Sequence, residues 1–153
     1  MTVGKHTQHG VTLIELLMVL AIIAILAVTA APSLIGQIKQ DRVNTTANQL
    51  SSFYRFARSE AVKREVPVKL ELENNDWVMK VVEQGQEITL KRFTIDHTAV
   101  AVNLVDRTLR SSGELSAFSN ILISDNDATT DDVRLCILHS GQSWLAKATD
   151  NCA

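Results

Sequence analysis

Glu15 is the residue whose type and setting most suggest chemistry. It is the only charged side chain between Gly10 and Lys39, and from Leu16 to Ala31 every residue is apolar except Thr29. A carboxylate in such a run costs about 2.5–3.5 kcal/mol to place in hydrocarbon, so it either serves a function or sits at a helix end among headgroups. The other candidates are weaker. Cys136 and Cys152 could form a disulfide, stay as two thiols or supply half a metal site, but no second Cys pair or His pair completes a zinc set, since His139 stands alone. Asp125-Asn126-Asp127-Ala128-Thr129-Thr130-Asp131-Asp132 offers oxygen ligands for calcium. It fails the EF-hand loop test, with Thr130 where glycine is needed and Cys136 where the bidentate glutamate belongs, and it reads as a solvated loop. His97 and His139 are isolated, and no Ser-His-acid set or glycine-rich phosphate loop is present. Catalytic residues, metal and cofactor are therefore all expected to be none.

The element that positions Glu15 is a helix. Leu13, Ile14 and the run to Ala31 span about 20 residues, enough to cross roughly 30 Å of hydrocarbon. Pro32 lacks an N–H and its ring clashes one turn back, so a kink is expected there. Beyond it, Ile35, Ile38, Val43, Ala47, Leu50, Tyr54, Ala57 and Ala61 recur at helical spacing, opposite Lys39, Asp41, Asn44, Asn48, Ser52, Arg55 and Ser59. Glu60 is placed to pair with Lys63 and Arg64. Val66-Pro67 ends the helix. From Val68 the period changes to two. Strands are expected at 68–73, 77–82, 87–94 and 99–105 as an antiparallel meander, then at 121–123, 133–138 and 144–148. The fold class is α+β, a long N-terminal helix packed on a small antiparallel sheet.

The chain has 153 residues and a formal charge of −2. Without the first ten residues and the apolar segment, about 118 residues remain, enough for one small core. A net acidic chain has no general attraction for nucleic acid or anionic lipid. Lys5 and the amino terminus on one side, against Lys39 and Arg42 on the other, give only a weak topological signal.

The stretch Gly10-Val11-Thr12-Leu13-Ile14-Glu15-Leu16-Leu17 resembles the type IV prepilin signature, with Val11 where phenylalanine is usual; Pro32 also lies where that family often has proline. In that family a membrane peptidase cuts after the glycine and methylates the new N-terminus, here Val11. The resemblance implies a leader over 1–10, a transmembrane and assembly helix over 11–35, an amphipathic continuation over 36–65, and a periplasmic β-rich domain over 66–153. Losing Lys5 with the leader takes the charge to −3, from 14 basic and 17 acidic residues. A periplasmic domain favours a Cys136–Cys152 disulfide, closing a loop of about 17 residues worth on the order of 3 kcal/mol.

Phe56-Ala57-Arg58-Ser59-Glu60-Ala61-Val62-Lys63-Arg64, the Ser112-Gly113-Glu114-Leu115 turn, and Leu135-Cys136 followed by Ser140-Gly141 resemble the minor-pilin and pseudopilin group of FimT, FimU and GspH. That group implies a structural subunit of a type IV pilus or type II secretion pseudopilus, anchored once in the bacterial inner membrane. Its partners would be other pilins or pseudopilins, the prepilin peptidase, the inner-membrane assembly platform, and lipid around the helix. Glu15 would act in assembly. The alternative is a DNA-binding minor pilin for natural transformation. FimT-type proteins that take up DNA share a C-terminal Gly-Arg-x-Arg turn, whereas the matching positions here read Gly141-Gln142-Ser143-Trp144. Trp144 could stack on a base, but its alternation into a strand reads as core, which argues against nucleic acid as a partner.

Overall fold

The computed structural model describes residues 11–152, and only the backbone at residues 30–32. Gly10 and the leader lie outside the described residues, and so does the side chain of Pro32, where the kink is expected. Helix α1 runs Leu13–Arg64. Its start is fixed by Thr12, whose Oγ1 accepts the Glu15 N–H at 3.3 Å and whose carbonyl accepts the Leu16 N–H at 3.2 Å, the arrangement of an N-cap. It stops where Glu65 takes a φ of 57° ahead of Pro67, with Lys63 and Arg64 in the last turn facing the negative end of the helix dipole.

The chain forms two compact units, one ending at Gln37 and the other beginning at Ile38. In the first, the apolar side chains are exposed all round, from Leu13 at 78% to Val28 at 76%. Leu13–Thr29 and Ser33–Arg64 are each, taken singly, not long and apolar enough to cross a membrane; together they meet that test of length and composition. Thr29 returns its hydroxyl to the carbonyls of Ile25 and Leu26, so the helix backbone satisfies the one hydroxyl of the run.

In the second unit, Val43, Ala47, Leu50, Tyr54, Ala57 and Ala61 are fully buried, while Ile38 stays exposed. The buried face is wider than the spacing of apolar residues predicts, because Thr46, Ser51 and Glu60 are buried too. Two sheets, rather than one, share a core with this helix. The first contains β1 (Val68–Glu73), β2 (Asp76–Glu83), β3 (Gln86–Phe93) and β5 (Arg107–Leu109), in the order β3-β2-β1-β5. The second contains β4 (Ala101–Val102), β6 (Ser119–Ser124), β7 (Val133–Ile137) and β8 (Ser143–Lys147), in the order β4-β6-β7-β8. All pairs are antiparallel.

The meander is therefore corrected at its fourth strand. Of residues 99–105 only Ala101–Val102 form a strand, and they pair with Ser124 and Ile123 of β6. The place beside β1 goes to Arg107–Leu109, which alternation did not reveal. A side-chain bond helps turn the chain away: Trp77 Nε1–H donates to the Val105 carbonyl at 2.9 Å, satisfying from the first sheet a group that a strand would have paired. On the polar face of the first sheet, Lys80 lies 2.8 Å from Glu71 and 2.6 Å from Glu73, Lys69 lies 3.1 Å from Glu87, and Arg92 lies 2.8 Å from Glu73. These cross-strand pairs favour the observed register. Hydrogen bonds from Lys80 and Arg92 hold the Glu73 carboxyl below its usual range, and Lys69 does the same to Glu87.

Candidate functional site

The N-terminal segment is the first candidate. Thr12, Leu13, Ile14 and Glu15 form the Thr-x-x-Glu spacing of a capping box, a helix-start signal already present in the sequence. Val11 and Thr12 precede the first helical residue. A free amine at Val11 would thus sit at the positive end of the helix dipole, about one turn's length of chain from an exposed carboxylate at Glu15. Around that charge, Leu13, Ile14, Leu16, Leu17 and Met18 are all more than half exposed. Apolar surface of this extent, left bare by its own chain, marks a surface that meets lipid or other protein.

The second candidate is the neck of the globular unit, where Lys39 and Gln40 hold the acidic loop. Lys39 Nζ contacts Asp127 Oδ2 at 2.5 Å. Gln40 uses both ends of its amide, donating to the Asp131 carbonyl at 2.9 Å and accepting the Asp131 N–H at 2.6 Å. Hydrogen bonds from Lys39 and Thr129 drive the Asp127 carboxyl well below the usual range, and Asp127 in turn raises Lys39. The loop expected to be merely solvated is tied to α1.

A third arrangement joins the residues that carry the family resemblance. Tyr54 donates its hydroxyl to the Gly141 carbonyl at 3.0 Å inside the core, and burial pushes the phenol up to about 12. Arg58 donates from Nε to the Gly113 carbonyl at 3.1 Å and from Nη2 to the Ser140 carbonyl at 3.3 Å. The Ser112-Gly113 and Ser140-Gly141 turns are thus fastened to one helix face and to each other. Gly141 has a φ of +79°, and a Cβ there would lie 1.9 Å from the Gly113 carbonyl oxygen, so only glycine fits.

Cys136 and Cys152 are bonded, with Cα atoms 5.4 Å apart. Cys136 faces Trp144 across β7 and β8, on the side of the sheet opposite Leu135 and Ile137, which join the core. This corrects the reading of Trp144 as core: it is 38% exposed, because its register places it with Cys136 and not with Leu135. Glu60 pairs with Arg64 at 2.7 Å, and Arg64 also reaches Glu83 at 2.5 Å, whereas Lys63 takes no part.

A long N-terminal helix, bare and apolar in its first half and buried against antiparallel sheets in its second, defines a pilin-like protein. Residues 5–31 match the prokaryotic N-terminal methylation motif, and residues 46–150 match the family of the type II transport protein GspH. The chain belongs to that GspH family. Among solved structures it is similar to the type IV minor pilin FimU of Pseudomonas aeruginosa PAO1 in two crystal forms. In one, the identity is 18% over 73% of this chain and 93% of that chain, with a TM-score of 0.62. In the other, it is 20% over 70% and 94%, with a TM-score of 0.55. No curated protein sequence matches it.

Proposed function

We propose that the chain is a structural minor pilin or pseudopilin, cut after Gly10 and methylated on Val11. It is held once in the inner membrane by residues 11–35, with the remainder in the periplasm, and then moved into a type IV pilus or type II secretion pseudopilus. It has no catalytic role; its partners are the prepilin peptidase, the assembly platform, lipid and other pilin-like subunits. The observation that carries this reading is the segment from Leu13 to Val28, exposed on all sides, with Glu15 as its only charge. In lipid the apolar side chains are satisfied and Glu15 is not. In a staggered bundle the Val11 amine of an incoming subunit meets Glu15 of its neighbour, so that neither charge is left unpaired in a low dielectric, at a saving of several kcal/mol. The pair also sets the register, since apolar faces alone permit many offsets of similar energy.

The test is Glu15→Leu. The variant should be cleaved and inserted normally, yet be lost from sheared filaments and fail to support secretion or piliation. Recovery at wild-type level would leave Glu15 as a headgroup contact and remove the basis of the assembly role. A DNA-receptor subunit is the alternative, and it predicts DNA retention that falls steeply with salt.

A further inference from the structure

We infer that the channel between α1 and β8 receives an extended segment of a different pilin-like subunit, acidic at one end and basic at the other. The inference rests on the filament reading above and names the chemistry of the neighbour. Two grooves lie along this channel, both lined by α1 and β8. The first contains Arg55, Arg58, Lys63, Gln142 and Trp144 and no acidic residue. The second contains Asp131, Asp132 and Asp150, with Lys147 as its one cation.

The first groove gathers three cations that pair with no carboxylate and has no acid in its lining; Arg42, Lys91, Arg107 and Arg134 also lack a carboxylate partner among the described residues, but they stand elsewhere on the fold. Among the described residues, Lys39, Arg64, Lys69, Lys80, Arg92, Arg110 and Lys147 each pair with a carboxylate. Arg55 and Lys63 make no ion pair, hydrogen bond or ring contact, and Arg58 spends its bonds on two carbonyls. A cluster of cations without counter-charge repels itself and is relieved by an incoming carboxylate. Trp144 adds an exposed aromatic face at the same place.

Three features select the occupant. β8 ends its sheet, with β7 on one side only, and an end strand offers unpaired backbone groups to an extended chain. Arg55 and Lys63 stand about 12 Å apart along the helix axis, a distance covered by about four residues of extended chain. A nucleic acid running along the channel would leave the cations and meet Asp131, Asp132 and Asp150, so a uniform polyanion is the wrong shape of charge. A second copy also fits poorly: its exposed end strand β3 carries Glu87, Lys91 and Arg92, but Glu87 is held by Lys69, Lys91 lies over the Phe56 ring, and Arg92 is held by Glu73 and Asp76.

The experiment uses the full chain in its own cells. A photo-reactive residue replaces the exposed Gln142, and the adduct is sequenced from sheared filaments. The expected product is a second pilin-like chain, cross-linked at the acidic end of an extended segment that turns basic four or more residues on. Arg55→Glu/Lys63→Glu alters two exposed side chains and should leave thermal unfolding unchanged. It should lower recovery in filaments about tenfold, as expected when two exposed pairs become repulsive, and abolish the adduct. An adduct with DNA, with another copy of this chain, or with a segment lacking that polarity would overturn the inference. So would wild-type recovery of the double variant. Absence of the wild-type chain itself from filaments would instead overturn the filament reading.

Discussion

Gly141→Ala should be the most damaging single-methyl change in the globular unit. Its cost has two parts. A φ of +79° imposes a left-handed strain of about 1–2 kcal/mol on any residue with a Cβ. The new Cβ would also lie 1.9 Å from the Gly113 carbonyl oxygen, a backbone atom that cannot step aside as a side chain does. The two turns must separate, which strains the buried Tyr54 bond to Gly141 and the Arg58 bond to Gly113. Losing hydrogen bonds of this kind, one buried and one partly buried, costs about 1–3 kcal/mol each, so the total is about 3–8 kcal/mol. Gly85→Ala is the matched control. Its φ is +80° but nothing lies within 4 Å of the added Cβ, leaving only the strain of about 1–2 kcal/mol. The assay is urea unfolding of the full chain in detergent micelles, followed by near-UV circular dichroism of the fully buried Trp77. If the two variants unfold within about 1 kcal/mol of each other, the clamp between the turns does not bear on stability, and the assignment of Tyr54 and Arg58 as its fasteners falls with it.

Three further outcomes are expected. Mass spectrometry of the native protein should find a chain that begins at Val11 and carries an N-methyl group; a mature chain that still includes Met1, in cells with an active prepilin peptidase, would contradict the processing. Cys152→Ser should cost about 3 kcal/mol, the entropy of a loop of about 17 residues, whereas two alkylatable thiols in the unreduced native protein would show that the bond is not formed. The carboxyls of Asp127, Glu73 and Glu87 are all held below their ordinary values, so their stabilisation is fully present above the unfolded values near pH 4 and is lost as pH falls through the lower folded ones. The urea midpoint should therefore be flat from about pH 5 to 8 and decline below about pH 4, less steeply in Asp127→Asn; equal acid slopes in the two proteins would disprove the role of the Lys39 contact.

The sequence by itself determined the helix and what lies along it. Apolar residues at helical spacing name a buried face wherever a partner covers it, and Val43 to Ala61 are buried as that spacing requires. The hairpins at Asn74-Asn75 and Gln84-Gly85 were equally legible, since turn residues between alternating runs specify local pairing with little competition. Glu15 stood out because one charge in a long apolar run has no local explanation. Tertiary structure alone decided what depends on distant partners. Alternation over 99–105 says that a strand is possible but not which edge receives it, and the second sheet claimed Ala101–Val102. The exposure of Trp144 turned on register with β7, which a period of two cannot supply because either parity satisfies it. The burial of Thr46, Ser51 and Glu60 followed from two sheets sharing a core with one helix. The cationic groove was hidden for the same reason: Arg55, Lys63 and Trp144 are separated by up to 89 positions in the chain, and only the fold sets them side by side while leaving the two cations without carboxylates.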